Sequence, residues 1–268
     1  MTEEILKKIK QLPPLPESAM QIEAVYQNPD SNFQDMVKII EKDPLLTADI
    51  LKAANSPLYG FSREINSISQ AVGLFGMGTV RGFALASIVK KSFSLDLSPY
   101  NLTNDMFAAL SKKEHALTTA WCVRKENRLM GILSPAAFLV EIGKVIIAQV
   151  IKAEGKEETF AQALAELDGD ADAAEAEVVG VTTAEVSAKI FEHWRFEENL
   201  VDVIANSKTP HNAKTDDNKR AAAILDVVRT TISLNGTVND ANVAKAKEII
   251  EEFGLDMESY ENALEGIK

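Results

Sequence analysis

The sequence predicts an all-α protein, and three observations point to this class. Apolar residues recur every three or four positions in one segment after another, as Leu46, Ile50 and Ala53 do. Helix starts carry recognisable caps, such as Asp43 followed by Pro44. No segment alternates in the manner of a strand, and no internal repeat is visible. With 268 residues, 46% of them hydrophobic, the chain can bury a sizeable core.

The N-terminal part predicts a series of helices separated by clear breaks. They lie at residues 3–10, about 20–28, about 32–41, 44–55, 67–75 and 79–93. Pro29 and Pro57 end two of them, because the residue before a proline avoids the α region. Gly60 predicts a left-handed turn, and Gly76 with Gly78 predicts a break before the last helix of this part.

The C-terminal part continues the helical pattern. Helices are expected at residues 103–125 and 134–151, in two pieces on either side of residue 169 within 155–178, and then at 182–194, 197–205, 217–234, 239–253 and 257–264. Ser134 followed by Pro135 predicts a helix start, and Thr182 with Glu185 forms a capping box. Gly254 predicts the end of the helix before it.

Composition argues against several function classes. The formal net charge of −12 disfavours a nucleic-acid groove, which needs cations facing phosphates. Arg81, Lys90 and Lys91 are the candidates for a local basic patch, but a solvated helix face is the favoured interpretation. The single Cys122 rules out an internal disulfide. We find no signal peptide and no apolar stretch long enough to cross a membrane, so we expect a soluble, cytoplasmic protein without a membrane partner.

Several short motifs follow one another in a recognisable order. They are Leu12–Pro16, Lys42–Pro44, Leu46–Ala48, Ala53–Gly60 and Gln70–Val72. These segments resemble the HDOD family, and the resemblance extends over residues 11–230. It implies an all-helical relative of the HD-type metal phosphohydrolases, of the kind found in bacterial signalling proteins. We expect an HDOD-like domain at residues 1–208, with an N-terminal subdomain to about residue 93, and a C-terminal helical extension at 209–268 packed on the same domain.

The resemblance also assigns metal-site positions. HD phosphohydrolases bind divalent metals through a histidine, an adjacent His-Asp pair and a later aspartate, and some use further histidines. The corresponding positions here are His115, Val140, Glu141, Thr183, Asn206 and Asp226. A valine side chain has no lone pair for a metal, so the resemblance implies an incomplete ligand set. We therefore expect no catalytic residue, no metal and no cofactor.

Other interpretations of these residues stay open. One imidazole and two carboxylates, from His115, Glu141 and Asp226, would still suit a divalent cation in an altered phosphohydrolase. Alternatively, the same three residues line a closed pocket for a small ligand such as a nucleotide. The favoured interpretation is that Glu141 pairs with a cation or with His115. The many acids between Glu154 and Glu177 are expected to form a solvated helical face.

One loop is the candidate for partner binding, with Asn55, Ser56, Tyr59 and Phe61 as its polar and aromatic residues. Helix capping by Asn55 and Ser56 is the favoured interpretation. Exposed rings of Tyr59 and Phe61 would instead anchor a partner, since aromatic residues are enriched in binding hot spots. The predicted function is a non-enzymatic bacterial signalling or regulatory module that contacts other signalling proteins, and a homo-oligomer is compatible with the sequence.

Overall fold

A computed structural model describes residues 1–91 and 95–267. The first helices are α1 (Glu3–Lys10), α2 (Glu17–Gln27), α3 (Phe33–Glu41), α4 (Pro44–Ala54) and α5 (Ile68–Lys91). The chain continues with α6 (Asn104–Cys122), α7 (Met130–Leu139), α8 (Gly143–Ala153), α9 (Glu157–Glu166) and α10 (Ala171–Val179). The last helices are α11 (Thr183–His193), α12 (Glu198–Ala205), α13 (Asp216–Thr231), α14 (Asp240–Glu252) and α15 (Met257–Glu265). Every regular element of these residues is helical, which confirms the all-α class.

Most helix starts lie where the capping residues predict them. The Asp43 carboxylate accepts two backbone N–H groups at the start of α4, and Pro44 is the first residue of that helix. Thr182 and Glu185 form the predicted capping box at α11. Gly60 adopts the left-handed conformation, with φ of 66°. At each of these places the side chains within a few residues were sufficient to predict the helix boundary or turn, because capping interactions are local.

Some helix ends differ from the prediction. Helix α5 is broken at Gly76, where φ is 80° and ψ is 162°, and it resumes at Met77, two residues earlier than expected. Helix α6 ends at Cys122 rather than near residue 125, and α13 ends at Thr231 rather than near residue 234. The predicted helix end near Phe93, which also marks the predicted subdomain boundary, lies outside the described residues.

The predicted helix start at Pro135 is wrong. Helix α7 begins at Met130, and Pro135 lies inside it. Because proline has no N–H, the Gly131 carbonyl four residues earlier loses its helical partner. Arg81 of α5 donates from Nη1 to that carbonyl at 3.0 Å. A side chain of another helix thus supplies the missing hydrogen bond, and one 3-10 turn (Val140–Ile142) then leads into α8.

Arg81 is fully buried and does not belong to a solvated face, whereas Lys91 is exposed as expected. Arg81 donates from Nε and Nη2 to the Glu23 carboxylate at 2.6 and 2.7 Å. Its Nη2 also lies 2.8 Å from Glu197 Oε1, outside hydrogen-bond alignment. The Tyr26 ring lies 4.2 Å from the guanidinium carbon. Burial lowers the pKa of Arg81, but Glu23 and Glu197 outweigh burial and raise it.

Helix α5 packs most extensively against α7 and also contacts α2, α3 and α4. The expectation that no apolar stretch is long enough to cross a membrane is wrong for two stretches, Ile68–Val89 and Asn127–Ala153, which suffice by length and composition. Of these windows, 56% and 89% are buried inside the fold, and the second is interrupted by the 3-10 turn before α8. They are core helices of a soluble helical domain. At the C-terminal end, α14 packs on α13 and α15 packs on α6.

Candidate functional site

Charged side chains from four helices and one turn meet inside the second part of the chain, and we call them the charge cluster. Its members are Glu114 of α6, Glu141 of the 3-10 turn, Lys144 of α8, Asp172 and Glu175 of α10, and Arg229 of α13. The cluster therefore joins elements that are far apart in sequence. Four acids face two bases, so the balance of charge is negative.

Glu141 lies at the centre of the charge cluster. Its Oε1 accepts from Arg229 Nε at 2.5 Å, and its Oε2 lies 2.8 Å from Lys144 Nζ. The Arg229 guanidinium also contacts both oxygens of Asp172, at 3.0 and 3.1 Å. Burial raises the pKa of Glu141, but Arg229 and Lys144 outweigh burial and bring it below its ordinary value. Glu141 is thus an ionised carboxylate with both oxygens paired.

Glu175 is fully buried, which corrects the expectation that the acids of residues 154–177 form one solvated face. Its carboxylate accepts from Lys144 at 3.1 Å, from the Thr183 hydroxyl at 2.7 Å and from the Tyr100 hydroxyl at 2.9 Å. Burial raises the pKa of Glu175, and Lys144 only partly offsets this. Asp172 is turned inward as well, with 15% of its side chain exposed. One face of α10 is therefore part of the interior.

The remaining predicted metal-site positions have separate partners. Asp226 pairs with Lys208 at 2.9 Å, at the edge of the charge cluster. The Asn206 amide donates to the carbonyl and carboxylate of Asp202 on α12. The Val140 side chain is fully buried, and its backbone carbonyl accepts from a serine hydroxyl of α11 at 2.6 Å. The structure therefore brings Glu141, Thr183 and Asp226 to one region and leaves Asn206 to a capping role.

His115 lies away from the charge cluster. Its Nδ1 is 2.6 Å from the Tyr59 hydroxyl, its Nε2 is 2.8 Å from the Ser134 hydroxyl, and its ring stacks on Phe138 with 3.9 Å between centroids. A neutral imidazole has one donor and one acceptor nitrogen, so both nitrogens are committed. Burial lowers the pKa of His115 to about 3. The ring is therefore neutral at pH 7.

The helical repeat explains why Glu114 rather than His115 faces the charge cluster. Met106, Leu110 and Glu114 follow one another at four-residue spacing and share one face of α6. His115 is turned about 100° further round the helix, toward the aromatic side. Among residues 1–91 and 95–267, no group of three or more His, Cys, Asp and Glu side chains is arranged to hold a metal ion. These residues do not form the ligand set that the resemblance assigns to a metal.

A cleft of about 890 Å³ opens beside the charge cluster. Its lining includes Glu114, Glu141 and Asp226 but not His115. The closed pocket expected from His115, Glu141 and Asp226 is therefore not formed. On α6, Glu114 lines the cleft at the position expected for His115. The sequence analysis did not select Glu114.

The loop after α4 has an anchored side and an exposed side. The Asn55 amide hydrogen-bonds the end of α4 and the segment before α5, at 2.8 to 2.9 Å, so it has the structural role that was favoured. The Ser56 side chain makes no capping hydrogen bond at the start of the 3-10 turn Pro57–Tyr59, so its favoured capping role is wrong; only its backbone carbonyl accepts the Tyr59 N–H. The Tyr59 ring is half-buried, with its hydroxyl on His115. Phe61 keeps 45% of its surface exposed, so it is the aromatic residue of the loop that remains available to a partner.

Gly143 sets the distance between α8 and α11, and an alanine there should destabilise the fold. A Cβ at Gly143 would overlap the Thr183 carbonyl oxygen and lie 2.8 Å from Ser187 Oγ. We expect Gly143→Ala to lower the free energy of unfolding by about 1–3 kcal/mol. Gly73→Ala is the control, because a Cβ there meets nothing within 4 Å, and we expect it to stabilise by roughly 0.5–1 kcal/mol. Urea denaturation of both variants measures the difference, and equal stabilities would contradict the prediction.

The partners of the charge cluster were only partly visible in the sequence. Lys144 lies within the apolar run of α8, between Gly143 and Val145, and a cation in such a run has to be paired when it is buried. That signal was available for Lys144. No equivalent signal distinguished Asp172 or Glu175, because the acids around them have the same chemistry.

The fold resembles solved structures over almost its whole length. It matches a candidate phosphohydrolase from Shewanella amazonensis SB2B with a TM-score of 0.74 and 22% identity, covering 99% of this chain and 96% of that chain. It matches a candidate signal transduction protein from Marinobacter aquaeolei VT8 with a TM-score of 0.69 and 22% identity, covering 100% of this chain and 59% of that chain. At these identities the likeness shows a shared fold.

The sequence comparisons add the family. An uncharacterized protein of Treponema pallidum (strain Nichols) is 34% identical over 73 residues, which cover 27% of this chain and 14% of that protein. The chain thus spans a small part of the curated relative that it matches. The family model of the HDOD domain matches residues 12–210. This range contains all of the charge cluster except Arg229. The chain belongs to the HDOD domain family.

Proposed function

We propose that this HDOD protein is a non-enzymatic regulatory module of bacterial signal transduction, that it works in the cytoplasm, and that it acts through contact with other signalling proteins. The observation that carries the proposal is the pairing of Glu141 with Arg229 and Lys144. The resemblance assigns Glu141 to a metal site, but both of its oxygens are paired with buried cations, which repel a divalent ion. On this proposal the old metal position is degenerate and stabilises the fold.

The contact with a partner is proposed at Phe61. The Phe61 ring packs on the Phe75 ring with 5.1 Å between centroids. Leu74, which precedes Phe75 in the chain, is 50% exposed. Tyr59 supports this contact by holding the loop on the interior through its hydroxyl. The net charge of −12 favours a protein over a nucleic acid as partner. Sedimentation of the wild type and of Phe61→Ser distinguishes a second copy of this chain from a separate protein, since self-association through Phe61 would be lost in the variant.

Metal content and turnover test the non-enzymatic function. We expect protein purified without chelator to contain less than one equivalent of divalent metal and to show no hydrolysis of bis(p-nitrophenyl) phosphate above background with manganese, since the Glu141 oxygens are already paired. An altered phosphohydrolase predicts the opposite: stoichiometric metal and turnover, both lost in Glu141→Ala and both kept in Glu157→Ala, an exposed acid on α9. That result would overturn the proposal.

A further inference from the structure

The cleft beside the charge cluster has an apolar wall that leads to a buried acid. Along α6 the lining changes from Met106, 38% exposed, through buried Leu110 to buried Glu114. Leu164 and Leu167, at the end of α9, add further apolar surface. The volume of about 890 Å³ is within the range of small-molecule sites. A ligand in this cleft would have its aliphatic part against leucines and one end near a carboxyl group.

The buried cations beside the cleft are already paired. Arg229 is bound to Glu141 and Asp172, and Lys144 is bound to Glu141 and Glu175. Lys208, nearer the opening, donates to Asp226 and to a threonine hydroxyl of α13. An anionic ligand would have to displace these carboxylates, which are fixed on three different elements. The chemistry of the cleft therefore disfavours phosphates and nucleotides.

Glu114 is the one acid of the charge cluster that has no ion pair with Arg or Lys among the described residues. The residue is 2% exposed and lines the cleft, and its Oε2 has no hydrogen-bond partner among the residues that the structure describes. Burial raises the pKa of Glu114, and nearby Glu141 raises it further. A buried carboxyl oxygen without a donor costs free energy, and a hydrogen-bond donor with positive charge is the group that would satisfy it best.

The opening of the cleft is also acidic. Asp168, Asp170 and Glu248 are exposed residues of the cleft lining, and Lys208 and Lys245 are the cations on this side of the cleft. The α9–α10 turn that carries Asp168 is fixed by a positive φ of 52° at that residue. Acids thus stand at both ends of the apolar wall, one buried on α6 and several at the opening.

We propose that this cleft binds an aliphatic amine that carries two or more ammonium groups, with one ammonium donating to Glu114 Oε2 and another at the acids of the opening. The methylene chain between them packs on Met106, Leu110 and the leucines of α9. A bare divalent metal fits less well, because the acids of the charge cluster other than Glu114 are held by Arg229 and Lys144. The proposal deepens the function proposed above, since it supplies that regulatory module with a chemical input.

Calorimetric titration of the full chain with spermidine at 0.15 M salt tests the proposal. We expect saturable binding with one amine per chain, and at least tenfold weaker binding of butylamine, which has a single ammonium. The salt concentration suppresses diffuse attraction of polyamines to an acidic protein. Absence of a saturable site, or equal binding of butylamine, would overturn the proposal. So would tighter binding of inorganic phosphate or of manganese than of spermidine.

Matched variants locate the amine. Glu114→Gln keeps the shape of the side chain but cannot ionise to pair with an ammonium group, and we expect it to weaken spermidine binding at least tenfold. Asp168→Asn, which suits the same positive φ, should weaken it several-fold, and the exposed acid variant Glu157→Gln should bind like the wild type. Equal spermidine binding by the wild type, Glu114→Gln and Asp168→Asn would overturn the proposal. If Glu114→Gln fails to fold, spermidine binding by Asp168→Asn and butylamine binding by the wild type test the proposal instead. Turnover with manganese would instead overturn the non-enzymatic function, so the two failures are distinguishable.

Discussion

Replacing Arg81 by methionine is expected to lower the free energy of unfolding by about 3–5 kcal/mol, because removal of one partner of a buried ion pair leaves the other charge uncompensated. Arg81 is 0% exposed, and the side chains of Glu23 and Glu197 that face it are 11% and 24% exposed. The variant would also leave the Gly131 carbonyl inside α7 without a donor. Urea denaturation followed by circular dichroism at pH 7 measures the loss.

An exposed arginine gives the control for this prediction. Arg128 pairs with Asp217, and their side chains are 60% and 52% exposed. Arg128→Met should therefore cost less than about 1 kcal/mol, since exposed ion pairs contribute little. A second comparison uses Glu23→Gln in the Arg81→Met background, which should recover part of the loss because the unpaired acid is removed. A loss in Arg81→Met no larger than that in Arg128→Met would contradict the role assigned to Arg81.

Replacing Lys144 by methionine is expected to have an effect of similar size, about 3–5 kcal/mol at pH 7. Lys144 Nζ lies 2.8 Å from Glu141 and 3.1 Å from Glu175, and its side chain is 2% exposed. Methionine fills a similar volume, so the loss measures unpaired charge rather than a cavity. Glu141 keeps Arg229 in this variant, whereas Glu175 loses its cation. Lys152→Met is the control, because the Lys152–Asp96 pair is exposed.

The pH dependence of the Lys144→Met loss has a definite sign. In the wild type the folded pKa of Glu141 is below its unfolded value of about 4.3, so its pairing stabilises the fold above that pH and the contribution disappears as the pH falls. In the variant, Glu175 becomes harder to ionise, and protonation at low pH relieves the unpaired charge. The difference in unfolding free energy between the two proteins should therefore shrink from pH 7 to pH 4. A difference that grows over this range would contradict the assignment.

Local chemistry made much of the fold predictable from sequence. The Asp43–Pro44 start and the Thr182–Glu185 capping box each act within four residues, so the sequence contains all that is needed to locate them. Pro135 misled for the opposite reason. Its usual effect is to start or break a helix, but here a distant guanidinium satisfies the carbonyl that the proline leaves open. No local sequence pattern indicates that such a partner is present.

The region of the candidate site could be predicted from the sequence, but not all of the residues that form it. Motif resemblance led to Glu141, Thr183 and Asp226, which lie in or beside one charged region. On α6 the resemblance selected His115, whereas Glu114 faces the charge cluster. One residue along a helix changes the direction of the side chain by about 100°. The choice between Glu114 and His115 depends on the rotation of α6 against α7 and α13. That rotation is set by packing over the whole domain.

The partners of Arg81 determine how the chain can be divided. One acid partner, Glu23, belongs to the first helices, while Glu197 and the Gly131 carbonyl belong to the second part. A chain severed between residues 91 and 95 would leave the Arg81 guanidinium in one fragment and the unsatisfied Gly131 carbonyl in the other. We therefore expect the two parts to fold properly only when they are expressed as a single unit.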